Sequence, residues 1–225
     1  MNFKQCNSTN YKSGRTSDIK YIVIHYTANN GDTASGNASY FANNKNLSAS
    51  AHYFVDENTI WQSVKDTDTA WHCGGKSYKH SYCRNGNSIG IELCSRKDSK
   101  GNYYFKDATV KNAAELTKIL MAKYNIPATN VIRHYDVTGK ICPAPMVNNV
   151  SLWNEFKNMI STKAPAVPAV KLETGNDIIW ELMNGKYKVK IDDVARAIAS
   201  LDKAKNSKEY LPLYWILYKL VNGNN

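Results

Sequence analysis

Residues 20–25 read KYIVIH and residues 88–94 read SIGIELC. The first is a short β-branched run that predicts a buried strand ending in a histidine, His25. In the second, Ile89, Ile91 and Leu93 alternate with Gly90 and Glu92, so a strand there turns an apolar side one way and Gly90 and Glu92 the other. Outward from these, SAHYFVDENTIWQSV (50–64) predicts two strands around an Asp56–Asn58 turn, and NVIR (130–133) a further short strand. Helices are expected over 34–45, with Tyr40 and Phe41 on the apolar side, over 107–124 and over 150–160. In the middle helix Val110, Ala113, Ala114, Thr117, Leu120 and Met121 keep a 3.6 period, and Pro127 lies beyond its end. The stretches 71–87, rich in Gly, Asn, Ser and Lys, and 134–146, with Gly139, Pro143 and Pro145, read as loops.

The segment STKAPAVPAVK (161–171) places two prolines among small residues, the composition of a semi-extended linker. Beyond it the pattern is purely helical, with stretches at about 176–184, 191–202 and 210–221. The expected organisation is therefore a first domain at 1–160, a linker at 161–171 and a small all-α domain at 172–225. The last helix is apolar nearly all round, so it must be buried in a bundle or against a partner, a second copy of the chain included.

Charge is unevenly spread. The net charge is +10, of which residues 1–171 carry +9 and residues 172–225 carry +1. Such a field attracts polyanions, and an anionic bacterial wall, a membrane surface or nucleic acid would each serve. The basic residues are scattered and form no recognised nucleic-acid module, which argues against that partner. The first fifteen residues contain no apolar h-region, and no stretch is apolar enough for a membrane span. The expectation is a chain made in the cytoplasm without a signal peptide. Five cysteines, an odd number, together with no export signal, argue against a disulfide framework.

The sharpest chemical feature is HYDVTGKICP at 134–143. A catalytic zinc takes three protein ligands and keeps a fourth position for water, and imidazole and thiolate both suit it. His134 at a strand end and Cys142 across a glycine-containing loop can curl around one ion. His25, at the end of its own buried strand, is the candidate third ligand. Spacing alone leaves this triad open against ordinary structural histidines. Cys73, His80 and Cys83 are spaced irregularly and lack a fourth ligand, which disfavours a second zinc site. Cys94 reads as a small core residue.

IVIHYTAN, SAHYFVDENTIWQSV, AWHCGG, NSIGIELC and HYDVTGKICP occur in this order and together resemble the type 2 N-acetylmuramoyl-L-alanine amidase family, whose relatives include phage endolysins and peptidoglycan recognition proteins. The resemblance covers about residues 18–160. It implies an α/β fold with a mixed central β-sheet flanked by helices, and one zinc per chain on His25, His134 and Cys142. It implies hydrolysis of the amide between the lactyl group of muramic acid and L-alanine of the stem peptide. Glu92, a carboxylate on an otherwise apolar strand, falls where the endolysin-like branch carries its general base. Other branches place a tyrosine just before the histidine of the SAH-like motif, and here that position is Ala51. Lys140 falls where the family carries a lysine able to stabilise an oxyanion. His72 and Trp71 of AWHCGG are expected to line the substrate cleft. His52 is grouped with them, although a partly buried strand histidine, or one that orients a metal ligand, fits its position as well.

By analogy with endolysins, residues 172–225 are expected to bind wall, including secondary wall polymers. The whole then reads as a phage or prophage lysin acting on peptidoglycan after release, as a monomer or as a dimer through the last helix. Two other readings keep the same family, an intracellular wall-recycling amidase and a peptidoglycan-binding protein that does not cut. A cysteine peptidase built on Cys142 and His134 is the reading from outside it.

Overall fold

The computed structural model describes residues 1–161. The rest of the expected linker and the helical domain at 172–225 lie outside the described residues. In chain order the elements are β1 (Asn2–Phe3), β2 (Tyr11–Lys12), β3 (Tyr21–Tyr26), α1 (Ala34–Asn43), β4 (Tyr53–Val55), β5 (Ile60–Gln62), β6 (Thr69–Ala70), β7 (Ser88–Leu93), β8 (Arg96–Lys97), β9 (Tyr103–Tyr104), α2 (Asp107–Tyr124), β10 (Val131–Arg133), α3 (His134–Thr138), α4 (Ala144–Asn148) and α5 (Val150–Ser161).

Six strands form one mixed sheet in the order β1-β5-β4-β7-β3-β10. Its centre, β4, β7, β3 and β10, is parallel, while β5 runs antiparallel to β4. Parallel strands require cover on both faces, and strand alternation decides what each face meets. Ile22, Ile24, Tyr53, Val55, Ile89, Ile91, Leu93 and Val131 share a core with Val110, Ala113, Ala114, Leu116 and Leu120 of α2 and with Phe156 and Ile160 of α5. Each fully buried isoleucine contributes roughly 1.5–3 kcal/mol, so this face supplies much of the fold's stability. On the opposite face Phe54 packs with Ala34 and Ala38 of α1, and Val23 with Val137, Cys73 and Cys83. That face also carries His25, Gly90 and Glu92.

The hairpin β4–β5 and helix α1 are tied by one carboxylate. Asp56 accepts the backbone N–H groups of Asn58 (2.8 Å) and Thr59 within the turn, and that of Ala34 (2.8 Å) at the first residue of α1. Thr33 caps the same helix by accepting the Gly36 N–H at 3.1 Å. Ala34 and Ala38, together with Phe41, make the stripe that packs inward, whereas Tyr40 is 52% exposed. The expectation that Tyr40 belongs to the apolar side fails because the stripe runs through positions four and three residues apart and misses it.

Residues 134–146 also depart from the expected loop. They hold the two short helices α3 and α4. Gly139 closes α3 in the left-handed region, at φ +86°, where glycine carries no Cβ penalty. Pro143 and Pro145 sit at the start of α4, where a missing N–H costs nothing. The residues that argued for a loop mark helix ends.

Candidate metal centre

The parallel register sets Glu92 directly opposite His25 on adjacent strands. β10 lies on the other side of β3 and delivers His134 at the start of α3. The turn after α3 returns Cys142 to the same place, held by the Tyr135 N–H donating to the Cys142 carbonyl at 2.8 Å. His25, His134 and Cys142 are all buried, and one ligand atom of each lies within 4.8 Å of the other two.

The nitrogen that each imidazole offers can be read from its partners. His134 Nε2 lies 3.2 Å from the Gly74 carbonyl, which leaves Nδ1 as the lone pair. His25 Nε2 lies 3.0 Å from His72 Nδ1, and its own Nδ1 faces Cys142 Sγ at 3.7 Å and Glu92 Oε1 at 4.0 Å. Burial, followed by the influence of His72, His134 and Lys140, pushes His25 well below the usual histidine range. Burial and then Lys140 bring His134 down to about 4. At neutral pH both rings are therefore uncharged, which is the form that binds metal.

Burial raises Cys142 to about 12, and the neighbouring Glu92 adds to the rise. The Tyr26 backbone and Lys140 favour the thiolate, but they do not offset this rise. Burial also lifts Glu92 to about 8, against the opposing pull of Lys140. Glu92 Oε2 is buried with no hydrogen-bond partner among the described residues. Two neutral imidazoles, a thiol and an orphaned carboxylate oxygen around one point are a donor set that lacks positive charge. A divalent zinc fits it, taking His25, His134 and Cys142 and leaving Glu92 beside a fourth position. Lys140 itself is exposed at the rim, and its charge is felt at both histidines, the thiol and the carboxylate.

The sequence profile of the N-acetylmuramoyl-L-alanine amidases matches residues 15–145. The chain belongs to this family. The N-acetylmuramoyl-L-alanine amidase CwlL of Bacillus licheniformis is 34% identical over 169 residues, which span 72% of this chain and 46% of that protein. The chain thus spans about half the length of the relatives it matches. The solved catalytic domain of XlyA superposes with a TM-score of 0.58 at 32% identity, covering 71% of this chain and 99% of that one. The structure of PlyL superposes with a TM-score of 0.59 at 30% identity, covering 71% and 96%.

Within this amidase fold the three residues expected to line substrate take different places. Trp71 is half-buried, its backbone N–H donating to Ser50 Oγ at 2.9 Å. His72 is 8% exposed, and both of its ring nitrogens are engaged inside the protein, by His25 and by Ser88 Oγ at 3.1 Å. His52 is fully enclosed, with Nδ1 accepting the Gly90 N–H at 3.0 Å and Nε2 beside Arg15 and the Asp68 carbonyl. Both histidines are buried with their ring nitrogens engaged inside the protein. His52 lies just before β4, its backbone N–H donating to the Gly90 carbonyl at 3.2 Å, and the 71–74 backbone folds His72 down onto Gly90.

Several residues around the centre carried no signal of function in the sequence. The Asn85 side chain accepts the backbone N–H groups of His72 (3.1 Å) and Cys73 (2.9 Å) and pins the loop beside the site. Arg15 donates to the Gly86 and Ser88 carbonyls and anchors the start of β7. His80 serves its own turn, with Nδ1 accepting the N–H of Tyr82 and of Cys83, and Cys73 donates to Asn85. Among the described residues the only group of three or more such side chains able to share a metal is His25, His134 and Cys142.

Proposed function

We propose that this chain is a zinc-dependent N-acetylmuramoyl-L-alanine amidase of the endolysin type, hydrolysing the amide between the muramic acid lactyl group and the stem-peptide L-alanine. The observation that carries the proposal is the convergence of His25, His134 and Cys142 within 4.8 Å beside the half-buried Glu92 carboxylate, in a chain that belongs to this family. Zinc, when bound, acidifies a water and polarises the scissile carbonyl.

The chain's own residues supply the rest. Glu92 borders the donor triangle and accepts the proton of the attacking water. From there the same carboxyl can hand the proton on to the leaving amine. Lys140 places a cation at the rim, where negative charge builds on the carbonyl oxygen as carbon turns tetrahedral. Trp71 offers a half-buried aromatic surface to the substrate.

The cysteine-peptidase reading fares worse. A thiol that burial has raised to about 12 and that is 3% exposed is a poor nucleophile and hard for a peptide carbonyl to reach. Residues 172–225 remain our candidate wall anchor, and the chain's site of action is then the wall after release from the cytoplasm. The test is to incubate metal-replete protein with purified peptidoglycan and measure new L-alanine amino termini. Release that a chelator abolishes and zinc restores, with about one zinc per chain by metal analysis, supports the proposal. No new L-alanine termini from metal-replete protein would overturn it.

A further inference from the structure

We infer that His72 is a positioning residue: a one-way chain of hydrogen bonds through His72 and Ser88, anchored on the Arg84 carbonyl, fixes which nitrogen of His25 is offered to the metal. The inference rests on the zinc reading above.

The direction follows from the one group that can only accept. Ser88 Oγ lies 2.7 Å from the Arg84 carbonyl oxygen, so the serine hydroxyl donates there. Its proton is thereby committed, and Ser88 Oγ acts as acceptor toward His72 Nε2 at 3.1 Å. His72 Nε2 therefore carries its hydrogen, and in a neutral ring Nδ1 is then a bare lone pair. That lone pair meets His25 Nε2 at 3.0 Å, so His25 Nε2 also carries hydrogen. His25 Nδ1 is left unprotonated on the side that faces Cys142 and Glu92. Every link donates toward Arg84, and the reverse direction would leave two oxygens 2.7 Å apart with no hydrogen between them.

Two further observations fit a device built for this purpose. Gly90 lies beneath the His72 ring, and a Cβ there would sit 2.5 Å from His72 Cγ. Glycine inside a strand commonly marks such a close approach. The Gly90 N–H is in turn held by His52 Nδ1 at 3.0 Å, which ties the floor of the ring pocket to the next strand. His134 reaches the same outcome by a shorter route, through the Gly74 carbonyl. Both imidazoles thus present Nδ1 to a common point before any ion arrives. Partners of this kind typically change metal affinity by about 10–100-fold.

The test uses the full chain. In zinc-free protein, long-range ¹⁵N–¹H correlation spectra of the histidine rings should show His25 and His72 both protonated at Nε2. Zinc titration against a competing chelator should show His72→Phe binding roughly 10–100-fold more weakly than wild type. His72→Asn, whose amide oxygen can stand near the lost Nδ1, should recover part of that affinity. His25 protonated at Nδ1 would overturn the inference, and this measurement does not depend on a variant folding. Equal zinc affinity in wild type and His72→Phe would overturn it too, with the zinc reading intact. Wild type that binds no zinc would instead sink the zinc reading, while the spectra would still judge the hydrogen-bond chain.

Discussion

The missing Cβ of Gly90 would lie 2.5 Å from Cγ of the His72 ring, closer than two carbon atoms pack. Gly90→Ala should therefore displace the ring rather than be absorbed, since the neighbours below it are strand backbone. Overpacking of this kind typically costs about 1–3 kcal/mol. We expect a lower melting temperature together with weaker zinc retention on dialysis. An alanine variant with wild-type stability and zinc content would show that the pocket has slack.

Among the described residues Glu92 Oε2 has no hydrogen-bond partner, and Oε1 stands 4.0 Å from His25 Nδ1. Glu92→Gln preserves shape and removes the proton acceptor. Zinc content should stay near one per chain while the rate of L-alanine release falls by about 10²–10⁴-fold. Near-normal turnover in a zinc-loaded variant would remove Glu92 from the chemistry.

Lys140 is exposed, so truncating it should leave the core intact. Lys140→Met should keep the zinc content and the melting temperature and lower kcat by about 10²–10³-fold, the range for losing one oxyanion partner. A change confined to KM would mean that the lysine binds substrate without acting on the transition state.

Glu57 ties β4–β5 to its surroundings through Arg96 (2.9 Å) and Lys106 (2.7 Å). The Lys106 hydrogen bond leads the effects that hold its carboxyl down at about 2. A carboxyl lowered in the folded state stabilises the fold above the unfolded value, and loses that stabilisation as pH falls through the folded one. Glu57→Gln should therefore melt a few degrees below wild type at pH 7, with the gap closing between about pH 4.5 and pH 2. A gap unchanged at pH 2 would show that the two ion pairs contribute nothing.

The long elements were legible because one face of each meets a single neighbour. The helix expected at 107–124 is Asp107–Tyr124, and the strand expected at 20–25 is Tyr21–Tyr26. Period 2 in SIGIEL separated the α2 face from the face of Gly90 and Glu92. The short strands β2, β6, β8 and β9 are two residues each, too short to show any period. At the site, two histidines at strand ends and Cys142 across its glycine-containing loop could be read as candidates. The tie between His25 and His72 could not, because those residues are 47 apart and the ring lies where only the folded loop places it. Ser88 and Asn85 look like ordinary strand and turn residues until their hydrogen-bond partners are seen.

One consequence of the β3–β7 pairing reaches past the site. The alignment that sets Ile24 beside Ile91 is the alignment that sets His25 beside Glu92. A slip of one residue would turn one strand inside out against the other and bring its isoleucines to the reactive side. The hydrophobic face therefore works as a gauge for the opposite one: any chain that packs its greasy surface correctly has already measured out the distance between His25 and Glu92.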